Sequence, residues 1–88
     1  MAMEDRIRGR LAELSPQVLN VTDDSSRHAG HAGAKAGGET HFTLEITSSA
    51  FAGLSRVQRH RLVHQLLEAE LNDGVHALSL VLCAPEEP

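Results

Sequence analysis

The sequence predicts a single small domain of the α/β type, more narrowly α+β, with the order α-β-β-α-β, a three-stranded mixed sheet and helices on one face. Three observations predict it. Ile7, Leu11 and Leu14 recur at helical spacing, and Phe42, Leu44 and Ile46 alternate with His41, Thr43, Glu45 and Thr47 as in a half-buried strand. Ser55 and Gln58 form an S-x-x-Q capping box, followed by a second apolar stripe of Val57, Val63, Leu66, Leu67 and Leu71. A strand, a helix and another strand in succession allow a crossover, so the sheet is expected to be mixed.

Taken in order, Met3 to Leu14 reads as the first helix. Glu4 and Asp5 sit in its first turn, where they complement the dipole, and Pro16 disfavours helical geometry at Ser15 and stops it. "QVLNV" is a short strand. A polar, glycine-rich loop over 23–39 follows, and its roughly 16 residues are long for a hairpin connection, a length that marks function or disorder. The strand around "THFTLEITS" comes next and is expected to pair antiparallel with the first. Asn72, Asp73 and Gly74 end the second helix with residues that tolerate left-handed geometry. "HALSLVLC" is the last strand, with Leu78, Leu80 and Leu82 on one face, and "APEEP" a frayed tail. Residues 1–88 thus form one domain, with a core from about 3 to 84 and a tail at 85–88.

Composition excludes several classes. Aromatic residues are 2% of the chain, so the core is aliphatic, each buried side chain contributing about 1.5–3 kcal/mol. Eighty-eight residues leave no room for a deep self-contained cleft, and no serine has a base and an orienting acid at identifiable spacing, so an enzyme is not expected. The single cysteine, Cys83, excludes an intramolecular disulfide and a thiolate cage made by this chain alone. No apolar run approaches the roughly 20 residues of a membrane span. The N-terminus lacks the apolar centre of a secretory signal, so a cytoplasmic location is expected. A net charge of −4 argues against non-specific nucleic-acid binding.

Six histidines remain to be placed. His41 reads as a solvent-facing strand residue. His60 and His64 stand at i, i+4, a chelating spacing, but neighbouring arginines would repel a cation, and surface positions fit better. His76 reads as a polar residue at a strand edge. His28 and His31 lie among glycines and alanines that let either ring be presented to a partner. Two readings stand for them, a pliable loop that happens to hold histidine or a metal ligand. The G-x-x-G at Gly30 to Gly33 falls between two strands and not between helices, which leaves it outside the nucleic-acid clamp that motif forms elsewhere.

Several ordered pieces carry a resemblance: D-x-S-x-x-H at Asp23 to His28, T-H-F at Thr40 to Phe42, F-x-G at Phe51 to Gly53, R-H-R-L-V at Arg59 to Val63, and V-H-A-L at Val75 to Leu78. Over about Val18 to Pro85 the chain closely resembles the BolA family, in its histidine-loop branch. The resemblance implies a KH-like class II fold and an adaptor that partners a monothiol CGFS glutaredoxin. Such a pair holds a bridging 2Fe–2S cluster, ligated from the other side by the glutaredoxin cysteine and a glutathione thiol. This side would contribute His76 and a loop histidine, which maps onto His28 with His31 as the second candidate. Alone, the domain is expected to be a monomer or weak homodimer without a cluster. Histidine ligation raises a cluster's potential relative to all-thiolate sites and makes the loaded form acid-labile.

The family also carries transcriptional regulators linked to stress and morphology. For that alternative, Arg56, Arg59 and Arg61 supply a basic segment on the second helix. No aromatic stacking platform accompanies them. The same arginines suit a docking face for an acidic or glutathione-bearing partner.

Overall fold

The computed structural model describes residues 2–24 and 40–87. Its elements are α1 (Met3–Leu11), β1 (Val18–Asp23), β2 (His41–Thr47), α2 (Arg56–Leu66), α3 (Glu68–Asn72) and β3 (Ala77–Cys83), with 3₁₀ turns at Ala12–Leu14 and Ser49–Phe51. The sheet order is β1-β2-β3. β1 pairs antiparallel with β2, and β2 pairs parallel with β3 across the helical crossover. This is the mixed three-stranded sheet that the sequence predicts.

Register explains the core. Leu19 faces Ile46 and Val21 faces Leu44 on one side, while Phe42, Leu44 and Ile46 align with Leu78, Leu80 and Leu82 on the other. The period of two sends all of these to one face. There Ile7 and Leu11 of α1 and Val63 of α2 join Phe42, Leu44, Ile46 and Phe51 in a single cluster, each at most 1% exposed.

The first helix is shorter than its apolar spacing suggests. Its α-helical part stops at Leu11, and the 3₁₀ turn to Leu14 finishes it. Ser15, ahead of Pro16, leaves right-handed geometry altogether, at φ 45° and ψ 54°. The carbonyl of Leu14 would be orphaned at that end. The buried hydroxyl of Ser48 donates to it at 2.5 Å and also accepts from the Ala50 amide at 3.1 Å. One serine thus ties the end of the first helical segment to the start of the crossover.

The second helix begins on the predicted box. The Ser55 hydroxyl accepts from the Gln58 amide at 3.2 Å, and the Gln58 side chain accepts from the Ser55 amide at 2.8 Å. Two expectations need correction here. Val57, placed on the apolar stripe by sequence, is 58% exposed, because six residues of helix put it about 120° away from Val63. The helix is also not one piece: Leu67, at φ −101° and ψ 14°, interrupts it and starts α3. The buried positions are Val63, Leu67 and Glu70, a stripe at i, i+4, i+7 that ends in a carboxylate. Gly74, at φ 120°, makes the turn into β3, as its place in the sequence predicts.

The tail is a third correction. It is anchored instead of frayed: Arg59 holds Glu87 through both oxygens at 2.6 Å, and Ala84, 6% exposed, packs against the core. The partners are 28 residues apart, so no local pattern could reveal the pair.

Candidate functional site

His76 stands at the head of β3, with its side chain exposed. Its backbone is fixed. The His76 amide donates to the Thr40 carbonyl at 2.7 Å, and the Ala77 amide shares that acceptor at 3.2 Å. One residue further on, the His41 carbonyl accepts from the Asp24 amide at 2.8 Å. The chain therefore leaves β1 at Asp24 and returns at Thr40 beside the same end of the sheet. Asp24 is 6% exposed, and its carboxylate accepts from the Thr43 hydroxyl, which secures the point of departure.

His28 and His31 lie outside the described residues, as does most of the 23–39 loop.

The other histidines are dispersed. His41 is half-buried in β2, on the face opposite Phe42. His60 is half-buried in a groove between α2 and the end of β3 that also meets Cys83. His64 is exposed on another side of α2, near Arg61, Gln65 and Glu68. Among the described residues no three His, Cys, Asp or Glu side chains are grouped to hold a metal ion. His76 is a single exposed imidazole next to Thr40, with Asp24 across β2 at the same end of the sheet.

The basic segment divides on folding. Arg56 and Arg61 are exposed, whereas Arg59 is 12% exposed in its side chain and turned inward. Its Nε donates to the Leu54 carbonyl at 3.0 Å and Nη1 to the Leu82 carbonyl at 3.1 Å, while both terminal nitrogens grip Glu87. That grip raises the Arg59 pKa above its ordinary value. It also holds the Glu87 carboxyl down to about 2, with a further contribution from the Ala84 amide. A folded pKa below the ordinary 4.5 means the contact contributes fully above that pH and is lost as pH falls from 4.5 toward 2. In an acid titration followed by amide NMR, the Ala84 resonance is expected to move with a midpoint near 2. Glu87→Gln should remove that transition, and a midpoint at the ordinary carboxylate value in the unaltered chain would refute the contact.

A second cluster escaped sequence reasoning. Glu70, 1% exposed in its side chain, accepts from Arg6 at 3.0 and 3.2 Å and from Arg10 at 3.2 Å, and Arg6 also meets Asp73 at 2.5 Å. These bonds raise the Arg6 pKa, with Asp73 the largest cause. The available signal was a glutamate on the Val63–Leu67 stripe facing a helix with two arginines four apart.

Comparison with known proteins bears on all of this. A family model described as BolA, BolA-like protein, matches residues 11–87. SufE-like protein 1, chloroplastic/mitochondrial, of Arabidopsis thaliana is 52% identical over 87 residues, covering 93% of this chain and 24% of that protein. Protein BOLA1, chloroplastic, of the same plant is 49% identical over 85 residues, covering 93% of this chain and 53% of that one. The chain thus spans about a quarter and about half of the lengths of these two relatives. The solved BolA domain of SufE1 from Arabidopsis thaliana superposes with a TM-score of 0.88 at 49% identity, covering 100% of this chain and 98% of that one. Among the described residues, no helix is long and apolar enough to cross a membrane. A family match that begins at the end of α1 and runs to Glu87, joined to that superposition, places the chain in the BolA-like protein family.

Proposed function

We propose that this protein is a non-enzymatic adaptor that docks a monothiol CGFS glutaredoxin and shares with it a bridging 2Fe–2S cluster, in cluster trafficking or iron regulation. One observation supports the reading above others. The two anchors of the histidine-bearing loop, Asp24 and Thr40, are hydrogen-bonded into the same sheet end as His76. A ligand on a fixed strand end and another between two anchors at that same end suit a site completed by docking. His76 and either His28 or His31 are the residues of this chain that would hold the cluster. When bound, the cluster supplies iron–sulfur cargo or an iron-dependent signal. The side chains here only ligate and orient it.

The alternative, a DNA-binding regulator that uses α2, loses support from the inward turn of Arg59. Arg56 and Arg61 are left exposed, and about five positions of helix place them on different sides. Two phosphate contacts would give a salt slope of only about −2.

A pair of titrations at one physiological ionic strength tests the choice, one with a promoter duplex and one with cluster-loaded glutaredoxin and glutathione. A clear glutaredoxin complex is expected, with weak, salt-sensitive DNA binding. Sequence-selective DNA binding lost in an Arg56→Ala/Arg61→Ala variant, together with no glutaredoxin binding, would reverse the assignment.

A further inference from the structure

The far end of β3 from His76 holds a site that the cluster reading does not use. Seven residues of strand separate the two ends, about 20 Å. At this far end the Arg59 guanidinium is fixed in plane by two backbone carbonyls, those of Leu54 and Leu82. Its remaining donors form a fork that meets both oxygens of the Glu87 carboxylate at 2.6 Å. The Ala84 amide adds a third donor to Glu87 Oε1 at 3.0 Å. Guanidinium forks recognise carboxylates by this paired geometry.

Receptor and occupant differ in how firmly they are held. Arg59 is 12% exposed in its side chain and bonded to the Leu54 and Leu82 carbonyls, and Ala84, 6% exposed, packs in the core just past β3, whereas the Glu87 side chain is 41% exposed. Glu87 reaches the fork from a short turn closed by its own amide on the Ala84 carbonyl at 3.1 Å. The Glu87 carboxylate thus sits at the surface on a one-turn tether, where a carboxylate from solution can compete for the fork. A groove of about 480 Å³ opens beside the fork, lined by Arg56, His60, Leu80, Val81 and Cys83 among others. Arg56 is exposed there and has no ion-pair partner among the described residues, and Val81 is 51% exposed. On a chain of net charge −4, this is a cationic groove with an apolar wall.

We propose that Arg59 and the Ala84 amide form a carboxylate-binding cradle that docks an acidic peptide segment of a partner protein, with Glu87 as its internal competitor. A partner peptide would place one carboxylate in the fork, a second acidic group near Arg56 and His60, and an apolar side chain on Val81. The tail occupies only the fork. Release of Glu87 is therefore the step that opens the site, and the tail acts as a latch. The inference needs neither His76 nor a cluster, so it stands or fails separately from the glutaredoxin reading.

The test uses the full chain and a fluorescent amidated peptide with the sequence of the tail, Ala-Pro-Glu-Glu-Pro, followed by anisotropy. Glu87→Gln removes the competitor and is expected to raise peptide affinity at least about tenfold over the unaltered chain, since a tethered ligand competes at millimolar effective concentration. In the same variant the Ala84 amide and the Arg59 Nε–H should shift in NMR spectra on peptide addition. Arg59→Lys added to Glu87→Gln should abolish the gain by removing the fork. Because Arg59 also holds two carbonyls, Arg56→Ala added to Glu87→Gln serves as a variant with the fold untouched, expected to lose affinity several-fold. Equal affinity in the Glu87→Gln and unaltered chains, or equal binding of a peptide with both glutamates replaced by glutamine, would overturn the proposal. So would concentration-dependent dimerisation of the unaltered chain that Glu87→Gln abolishes, which would assign the cradle to the tail of a second copy.

Discussion

His76→Ala is expected to abolish the visible absorption of the mixed complex with glutaredoxin and glutathione, whereas His41→Ala should leave it in place. The imidazole of His76 is exposed and its backbone is held by the Thr40 carbonyl, so truncation removes a ligand and leaves the strand intact. Surface truncations of that kind stay within about 0.5 kcal/mol in stability, so the variant should unfold at nearly the same denaturant concentration. A spectrum lost with stability retained separates ligation from folding. Replacing His28 alone should weaken the cluster, and replacing His28 and His31 together should weaken it further. Damage from His31→Ala alone would move the loop ligand three residues onward. Ligation requires deprotonated imidazole, so the loaded form should also be lost on acidification. An unchanged spectrum in His76→Ala would end the cluster reading.

The elements legible in the sequence are those whose evidence is local. The alternation at Phe42, Leu44 and Ile46 and the Ser55–Gln58 box each lie within a few residues, and both appear in the structure as expected. What stayed hidden depends on contacts between distant segments. Val57 looked apolar and in period, yet helical phase decides its face, and that phase is set by Val63 and Leu67 against the sheet. Arg59 read as one member of a basic cluster because its acceptors, at Leu54, Leu82 and Glu87, converge only after β3 docks. For the candidate site, spacing alone made His76 an unremarkable strand-edge residue. Family motifs singled it out, and the fold then set it next to Thr40, with Asp24 across β2 at the same end of the sheet.

A large loss of stability is expected from Glu70→Ala. Glu70 is the charged residue in the seam between α1 and α3, and its two oxygens collect Nε and Nη2 of Arg6 and Nε of Arg10. Breaking a buried pair from one side costs about 3–5 kcal/mol, because the partner charges lose their counter-ion while desolvated. Here Arg6 and Arg10 keep 30% and 52% of their side-chain exposure, so water can recover part of their solvation. The expected cost is therefore at the low end of that range, about 3 kcal/mol. A domain of this size has a total stability of only about 4–13 kcal/mol, and at about 4–8 °C per kcal/mol the melting temperature should fall by roughly 12–24 °C. By contrast, the exposed Glu4–Arg8 pair within α1 should contribute no more than about 0.5 kcal/mol. Glu70→Gln keeps the shape and one acceptor and is expected to fall between the two. Because the carboxylate is shielded from solvent, added salt should recover little of the difference. A melting temperature for Glu70→Ala within two or three degrees of the unaltered chain would show that the arginines are satisfied without it, and that apolar packing alone joins α1 to α3.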